Sequence, residues 1–242
     1  MKTSNRFCPS GLCLLVLVML SAGLMRAETT LDAALNVGGG ELEFSSYSTE
    51  DTNYPWTVLT EPGESHDGQS AARSGATRYY YYYSCSTYSA IYYRSFLSTS
   101  LTEPGMLSFW ARGSGWGNLS LWVNGNQVRD IATNTGGSGE WRLYSVKLPL
   151  LGQSTVEWCF ENRDSNSQAG QSENYFLLDE VRWQPADEQG FMYQLNEDGN
   201  SYRVQAYLGQ DSEVSVPSQV DGKPVTSIGK KAFEGNENII GV

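Results

Sequence analysis

Few residues of this sequence have the chemistry that catalysis requires. His66 is the only histidine, so a hydrolase with an imidazole general base would have to use it. Its neighbour Asp67 is poorly placed to orient the ring, and no Gly-x-Ser-x-Gly turn supplies a serine nucleophile. We therefore predict no catalytic residues, and a His66 that lies in a turn with hydrogen bonds to backbone.

Two other patterns resemble catalytic or ligand sites. Asp179 and Glu180 form a carboxylate pair, but adjacent residues of a strand point to opposite faces, so they are not expected to flank one glycosidic bond. The glycine-rich residues 113–117 resemble a phosphate loop. Phosphate loops open a helix, whereas this segment runs into an apparent strand at residues 119–123, so we predict a turn.

Tyrosine is the most unusual feature of the composition. The chain has 15 tyrosines, and five of them are consecutive at residues 79–83. In a strand, alternate tyrosines line one face, where exposed rings can stack on sugars or anchor a protein. Tyrosine is also a good strand former, so a purely structural role stays open. The predicted ligand-binding residues are Tyr79, Tyr81, Tyr83, Tyr88, Tyr92 and Trp116.

Strands must position these residues. Between residues 41 and 183, short apolar or aromatic runs alternate with Gly, Asn, Ser and Pro-Gly, which predicts an all-β, two-sheet antiparallel sandwich. Asn124-Gly125 is typical of a type I′ hairpin turn, and one short helix is expected at residues 30–35. Further strands are predicted at residues 106–110, 141–148, 155–161, 175–183, 191–195 and 201–207.

The first 27 residues predict export. Lys2 and Arg6 precede an apolar run at residues 11–25, followed by Arg26-Ala27, which is typical of a secretory signal peptide. The run is shorter than the roughly 20 residues of a membrane-spanning helix. We expect a secreted or cell-surface protein with no membrane insertion after residues 1–27 are removed.

The charge excludes one class of partner. Removal of three basic residues with the signal peptide lowers the net charge from −11 by three, to −14. Such a surface repels phosphate backbones, so nucleic acid is not expected as a partner. Divalent cations and neutral sugars suit an acidic surface, although the charge also favours solubility by itself.

Two cysteines follow the signal peptide, Cys85 and Cys159. In an oxidising compartment they can form a disulfide, which would stabilise the fold by roughly 4 kcal/mol because it closes a long loop. The alternative is two buried thiols, and the sequence does not decide between them.

The larger part of the chain, residues 31–183, resembles MAM-like and carbohydrate-module-like jelly rolls of exported bacterial proteins. The resemblance lies in residues 65–75, 105–110, 140–141 and 176–183. In related jelly rolls, an acid from the first strand and one at the start of the last strand hold a structural Ca²⁺. Glu43 and Asp179 occupy the matching places, so the resemblance implies a calcium site, with solvent-facing acids as the alternative.

The sequence pattern changes after a linker at residues 184–190. Residues 214–242, with Asp221-Gly222-Lys223-Pro224-Val225, resemble the opening of a BspA-like leucine-rich-repeat region. That resemblance implies a β-hairpin cap and the first coil of a solenoid from residue 191, and we expect further repeats beyond Val242. The residues expected to point inward are Val225, Ile228, Ala232, Phe233 and Ile239.

Together these features predict four segments: a signal peptide (1–27), a jelly-roll domain (28–183), a linker (184–190) and the N-terminal part of a leucine-rich-repeat domain (191–242). The predicted function is non-catalytic adhesion to glycans or proteins at the cell surface. Two alternatives stay open. One is a carbohydrate-binding module of a secreted enzyme whose catalytic domain lies outside this chain, and the other is a structural spacer of the cell envelope.

Overall fold

The computed structural model describes residues 30–35, 42–49, 54–61, 63–77, 79–84, 87–164 and 173–242, but not the side chains of residues 79–90. The predicted signal peptide and Cys85 lie outside these residues. Within the described ranges, no helix combines the length and the apolar character that a membrane crossing needs.

The regular structure is nearly all β, which confirms the predicted class. One short helix, α1 (Leu31–Leu35), lies near the start of the described chain, where it was expected. The strands are β1 (Ser45–Ser48), β2 (Thr57–Leu59), β3 (Ala71–Arg73), β4 (Tyr79–Ser84), β5 (Thr87–Tyr92), β6 (Arg94–Leu101), β7 (Gly105–Val123), β8 (Asn126–Ser138), β9 (Arg142–Leu148), β10 (Ser154–Asn162), β11 (Tyr175–Pro185), β12 (Phe191–Leu195), β13 (Tyr202–Tyr207), β14 (Gln219–Val220) and β15 (Lys223–Ile228).

Nine of the described strands form one curled antiparallel sheet. Its order is β1-β6-β10-β7-β11-β3-β2, and β8 and β9 also pair with β7. The first part of β7 pairs with β9 and β11, and its second part pairs with β8 and β10. The two halves of the sheet therefore share one strand, an arrangement consistent with a β-sandwich.

Residues 113–117 were predicted to form a turn, and that prediction is wrong. They continue β7, with a register shift against β8 between Ser114 and Trp116. A Cβ atom at Gly115 would lie 1.9 Å from Asn174 Oδ1, and one at Gly117 would lie 2.5 Å from the Phe160 ring. Glycine is needed here because the strand changes its pairing partners while neighbours approach closely.

The core lies between the facing halves of the sheet. Phe109, in the first part of β7, meets Trp158 of β10 edge to face, with ring centroids 5.4 Å apart. Phe160 and Phe176 also meet, at 6.1 Å. All four rings are buried, and burial of such a side chain contributes about 1.5–3 kcal/mol. Aromatic packing therefore holds the halves together.

The Asn-Gly hairpin is confirmed. Asn124 and Gly125 have φ values of 49° and 75°, and Val123 pairs with Asn126. Leu119 and Leu121 are fully buried, as their shared face predicts. The positive φ angles explain why this dipeptide sets the turn.

Residues 191–242 contain a second sheet, in the order β12-β13-β15-β14. It has its own hydrophobic cluster, with Phe191, Val204 and Ala232 among its buried members. Met192, Ala206 and Leu208 pack instead with Met106 and Ala186, so the second sheet contacts the first. The leucine-rich-repeat assignment and the domain boundaries stay predictions.

The predicted inward face of this segment is formed in part. Ala232 is buried, and Val225, Phe233 and Ile239 pack against the cluster. Ile228 is 51 % exposed, so the prediction is wrong for this residue. Val225 and Ile228 lie three residues apart on β15, and side chains three residues apart on a regular strand point to opposite faces, so both were not to be expected inside.

Gly115→Ala tests the bend in β7. Gly115 has a φ of 72°, and a methyl group would displace Asn174, whose Oδ1 accepts a hydrogen bond from the Trp116 N–H. We expect a loss of roughly 3 kcal/mol or more in the free energy of unfolding, measured by urea denaturation. Gly125→Ala is the control, because it has a similar φ of 75° but no neighbour within 4 Å, and should lose about 1–2 kcal/mol. Equal losses would contradict the steric explanation.

Candidate functional site

The predicted tyrosine site maps to a two-stranded ribbon. Strands β4 and β5 pair with each other and, within the described chain, with no other strand. Directly paired residues share a face. The register pairs Tyr79 with Tyr92, Tyr81 with Ala90 and Tyr83 with Tyr88, which places all five predicted tyrosine positions on one face of the ribbon.

Part of this face has described side chains. Tyr92 is 39 % exposed, and Ile91, which pairs with Tyr80 on the opposite face of the ribbon, is exposed as well. The side chains of Tyr79, Tyr81, Tyr83 and Tyr88 lie outside the described part of the chain, so their role as ligand contacts stays a prediction. We call the face with these five positions the tyrosine face.

Trp116, the sixth predicted residue, is an exposed ring on a fixed backbone. Its side chain is 49 % exposed. The backbone N–H of Trp116 donates to Asn174 Oδ1 at 2.8 Å, and its backbone carbonyl oxygen accepts from the backbone N–H of Arg163 at 3.3 Å. A Cβ at Gly136 would lie 3.4 Å from the indole nitrogen, so the indole lies beside a residue that has no side chain.

The end of β10 connects Trp116 to the ribbon. Asn162, the last residue of β10, is buried, and its Nδ2 donates to the Thr77 carbonyl at 2.7 Å, just before β4 begins. The next residue, Arg163, donates to Trp116. The fold therefore brings the base of the ribbon and Trp116 to the same end of the sandwich.

A second cluster, which the sequence did not reveal, surrounds His66 on the outer face of β7 and β11. The His66 ring stacks on Trp110, with centroids 3.7 Å apart and planes 16° from parallel. Its Nδ1 lies 2.8 Å from Glu180 Oε2. The prediction that His66 bonds to backbone is therefore wrong for the ring, which pairs with a carboxylate and an indole.

Asp179 and Glu180 lie on the same side of the sheet, which corrects a second prediction. The pairing of β11 with β7 shifts register between Asp179 and Arg182, and Glu180 has a φ of 49°. Asp179 accepts the His66 backbone N–H at 2.6 Å, while Glu180 contacts the ring of the same histidine. The strand bulges here, and a bulge cancels the alternation on which the prediction rested.

Asp179 fixes the loop that carries His66. It is buried, and its carboxylate accepts the backbone N–H groups of His66, Asp67 and Glu180. Burial raises the pKa of Asp179 above the ordinary value of 3.8, although the three N–H donors act in the opposite direction. These three hydrogen bonds give Asp179 a structural role, because it holds the loop through its backbone N–H groups.

The neighbouring charges of this cluster are also paired. Arg112 forms an ion pair with Glu64, and its guanidinium lies 5.3 Å from the centroid of the Trp141 ring. Arg182 lies 3.8 Å from Glu180. Since these charged groups pair with one another, the cluster holds the His66 loop against the outer face of the sheet.

The predicted calcium ligands have different environments. Asp179 already accepts three N–H groups, and a carboxylate offers about four lone-pair positions, so little is left for a cation. Glu43 is exposed beside β1. Within the described residues, no group of three or more His, Cys, Asp and Glu side chains is placed to hold a metal ion. The Glu43–Asp179 calcium site stays a prediction.

Cys159 is a buried thiol in β10. Burial is the largest effect on its pKa, which is raised to about 12, so the group is protonated and unreactive at neutral pH. Its proposed partner Cys85 lies outside the described residues, and a disulfide between the two stays a prediction.

No protein-family model and no curated protein matches the chain. Among solved structures it is similar to the K1 cleaved adhesin domain of Lys-gingipain from Porphyromonas gingivalis, with 16 % identity, coverage of 59 % of this chain and 90 % of that one, and a TM-score of 0.39. TmCBM61, solved with β-1,4-galactotriose, has 15 % identity, coverage of 66 % and 96 %, and a TM-score of 0.39.

The secreted serine protease VesC from Vibrio cholerae has 16 % identity, coverage of 64 % of this chain and 26 % of that one, and a TM-score of 0.38. These likenesses are distant. They join binding modules and an enzyme, so they transfer neither a ligand nor an activity to this chain.

Asp179→Asn tests the loop anchor. The amide cannot accept at both former oxygen positions, so we expect a loss of about 1–3 kcal/mol in unfolding free energy at neutral pH, measured by urea denaturation. The control is Asp221→Asn, at an exposed turn position. A variant as stable as the control would contradict the anchoring role.

The pKa of Asp179 predicts a pH dependence of the same comparison. Because its pKa is higher in the folded chain than in the unfolded one, protonation favours folding. The stability of the wild type relative to Asp179→Asn should therefore rise as the pH falls from neutral toward 3.8. Urea denaturation at a series of pH values measures this difference, and a constant difference would contradict the raised pKa.

Proposed function

We propose that this chain is an exported, non-catalytic binding protein that attaches to glycans through aromatic rings at one end of its β-sandwich. Trp116 and the tyrosine face supply the contacts. The observation that carries the proposal is the half-exposed indole of Trp116, held by two backbone hydrogen bonds at the end where the tyrosine ribbon begins.

The geometry of Trp116 suits stacking. A large apolar ring in water is unfavourable, and this chain buries other large rings, such as Trp56 and Trp158, almost completely. The backbone of Trp116 is fixed before any ligand arrives, so little conformational entropy is lost on binding. The apolar face of a sugar ring fits such a platform, and tyrosine hydroxyls add hydrogen bonds.

Charge favours a neutral ligand. The mature chain carries the excess of acidic residues described above, and anionic polymers would be repelled from it. A neutral glycan pays no such electrostatic penalty. A protein partner would need a basic surface to gain from the same field.

The proposal also includes export, a jelly-roll domain and a solenoid cap. Export rests on the signal-peptide pattern of residues 1–27, and the jelly-roll assignment rests on the nine-stranded curled sheet together with the sequence resemblance. The parallel pairing of β13 with β15 supports a solenoid cap, because parallel strands are what successive coils of a solenoid contribute. Glycan adhesion then occurs outside the cell or on its surface.

Trp116→Ala and Tyr92→Ala test the aromatic site. We expect each variant to lose about tenfold or more in affinity for a glycan that the wild type binds on a glycan array, because each removes a stacking surface. The unfolding free energy should change little, because both side chains are substantially exposed. Leu143→Ala, at another exposed apolar residue on β9, is the matched control and should bind like the wild type.

Two results would contradict this function. The first is a wild-type protein that binds no glycan on the array. The second is a double variant, Trp116→Ala with Tyr92→Ala, that binds as tightly as the wild type. Binding to a protein ligand that both substitutions abolish would keep the aromatic site and replace the glycan.

A further inference from the structure

A groove of about 590 Å³ lies beside β1, β6 and β10. Its lining includes four hydroxyl side chains, an exposed tyrosine and two glutamates. They are Ser45, Ser98, Ser100, Thr155, Tyr47, Glu157 and Glu43. We call it the Glu157 groove.

The strand register explains why these side chains converge. Ser45 of β1 pairs with Ser98 of β6, and Ser98 pairs with Glu157 of β10. Directly paired residues share a face, so the three form one row across three neighbouring strands. Ser100 and Thr155 form the next row. A polar surface of this kind on adjacent strands is not needed for packing the core, which lies on the other face.

Glu157 forms the floor of the groove. The residue is 6 % exposed, and its Oε1 accepts hydrogen bonds from Tyr47 Oη and Ser98 Oγ, both at 2.9 Å. These bonds fix the carboxylate. No hydrogen bond to Oε2 and no ion pair of Glu157 is described among the placed residues. Oε2 is not one of the fully buried polar atoms that lack a partner in the described chain, so this oxygen is open to the groove and can accept from a ligand.

Tyr47 forms a wall of the same groove. Its ring stacks on Phe96, with centroids 4.9 Å apart and planes 13° from parallel, yet the residue is 43 % exposed. Burial of the hydroxyl end, followed by the hydrogen bond to Glu157, raises the pKa of Tyr47 to about 12. The phenol therefore stays a donor at neutral pH, and one side of the ring is held by Phe96.

We propose that the Glu157 groove is a second sugar site, which binds a neutral pyranose unit. Glu157 Oε2 accepts from a sugar hydroxyl, and the serine and threonine hydroxyls form hydrogen bonds with the neighbouring hydroxyls of the sugar. The Tyr47 ring packs on the apolar face of the sugar ring. The glutamates exclude uronic acids by charge. The proposal rests on the proposed function only in taking a glycan as the ligand.

The groove and Trp116 are separate places. Glu157 lies five residues before Asn162 on β10, which is roughly 17 Å along an extended strand. One short sugar cannot fill both sites. The two proposals therefore make different predictions for the same ligands.

Glu157→Gln tests the groove with the least disturbance. The amide oxygen of glutamine can still accept from Tyr47 and Ser98, while an NH₂ group replaces the free acceptor Oε2. The probes are the methyl glycosides of galactose, glucose, mannose and xylose, with galacturonic acid as the charged comparison, followed by saturation-transfer NMR and titration calorimetry. We expect the wild type to bind at least one neutral glycoside in the millimolar range, and Glu157→Gln to weaken it by about tenfold or more.

Three comparisons make the result specific. Glu161→Gln changes another carboxylate on the same strand, which pairs with Arg94 outside the groove, and should bind like the wild type. Tyr47→Phe keeps the ring on Phe96 but removes the phenol hydroxyl, and should weaken binding. Trp116→Ala should leave binding of these monosaccharides unchanged. Thermal melting checks that each variant is folded.

The proposal is overturned if no neutral glycoside binds the wild type, if galacturonic acid binds more tightly than all of them, or if Glu157→Gln binds as well as Glu161→Gln. Loss of monosaccharide binding in Trp116→Ala together with full binding in Glu157→Gln would also overturn it, while leaving the proposed function intact. Binding that only Glu157→Gln and Tyr47→Phe weaken supports the groove, whatever the glycan array shows for Trp116.

Discussion

The rest of the sandwich depends on strand β7, which must pair in both halves of the sheet. It takes part in both halves of the curled sheet, pairing first with β9 and β11 and then with β8 and β10. Such a strand must change direction without losing its ladder, and the glycines at 113, 115 and 117 make this possible because Phe176, Asn174 and Phe160 occupy the space where their side chains would lie. The same bend presents Trp116 to solvent. Core packing and the exposed platform therefore have one structural origin.

Two buried carboxylates show how similar residues acquire different roles. Asp179 accepts three backbone N–H groups, and the strand bulge beside it brings Glu180 to the ring of His66, so the donors and acceptors of this cluster are used internally. Glu157 Oε1 accepts hydrogen bonds from two hydroxyl groups, and the carboxylate borders an open groove. Burial alone does not distinguish them. The number of internal donors does, and this number depends on the neighbouring strands.

The aromatic residues are divided in a corresponding way. Phe109, Trp158, Phe160 and Phe176 join the two halves of the sheet, whereas Tyr47, Tyr92 and Trp116 remain exposed. Two of these exposed rings have a fixed support: Phe96 stacks on Tyr47, and the backbone N–H and carbonyl of Trp116 are both hydrogen-bonded. Rings that are supported and still exposed suit recognition by stacking, which is the physical basis for proposing a binding role for this acidic β-protein.

The sequence by itself determined the features that depend on near neighbours. Alternating apolar residues predicted the all-β class and most strands, and Asn124-Gly125 predicted its hairpin because its positive φ angles are a local property. Tertiary structure decided the rest. The bulge at Glu180 and the continuation of β7 through Gly113 to Gly117 both arise from pairing with distant strands. The row of Ser45, Ser98 and Glu157 likewise joins residues more than fifty positions apart. Register between distant strands depends on packing of the whole sheet, which no local pattern encodes.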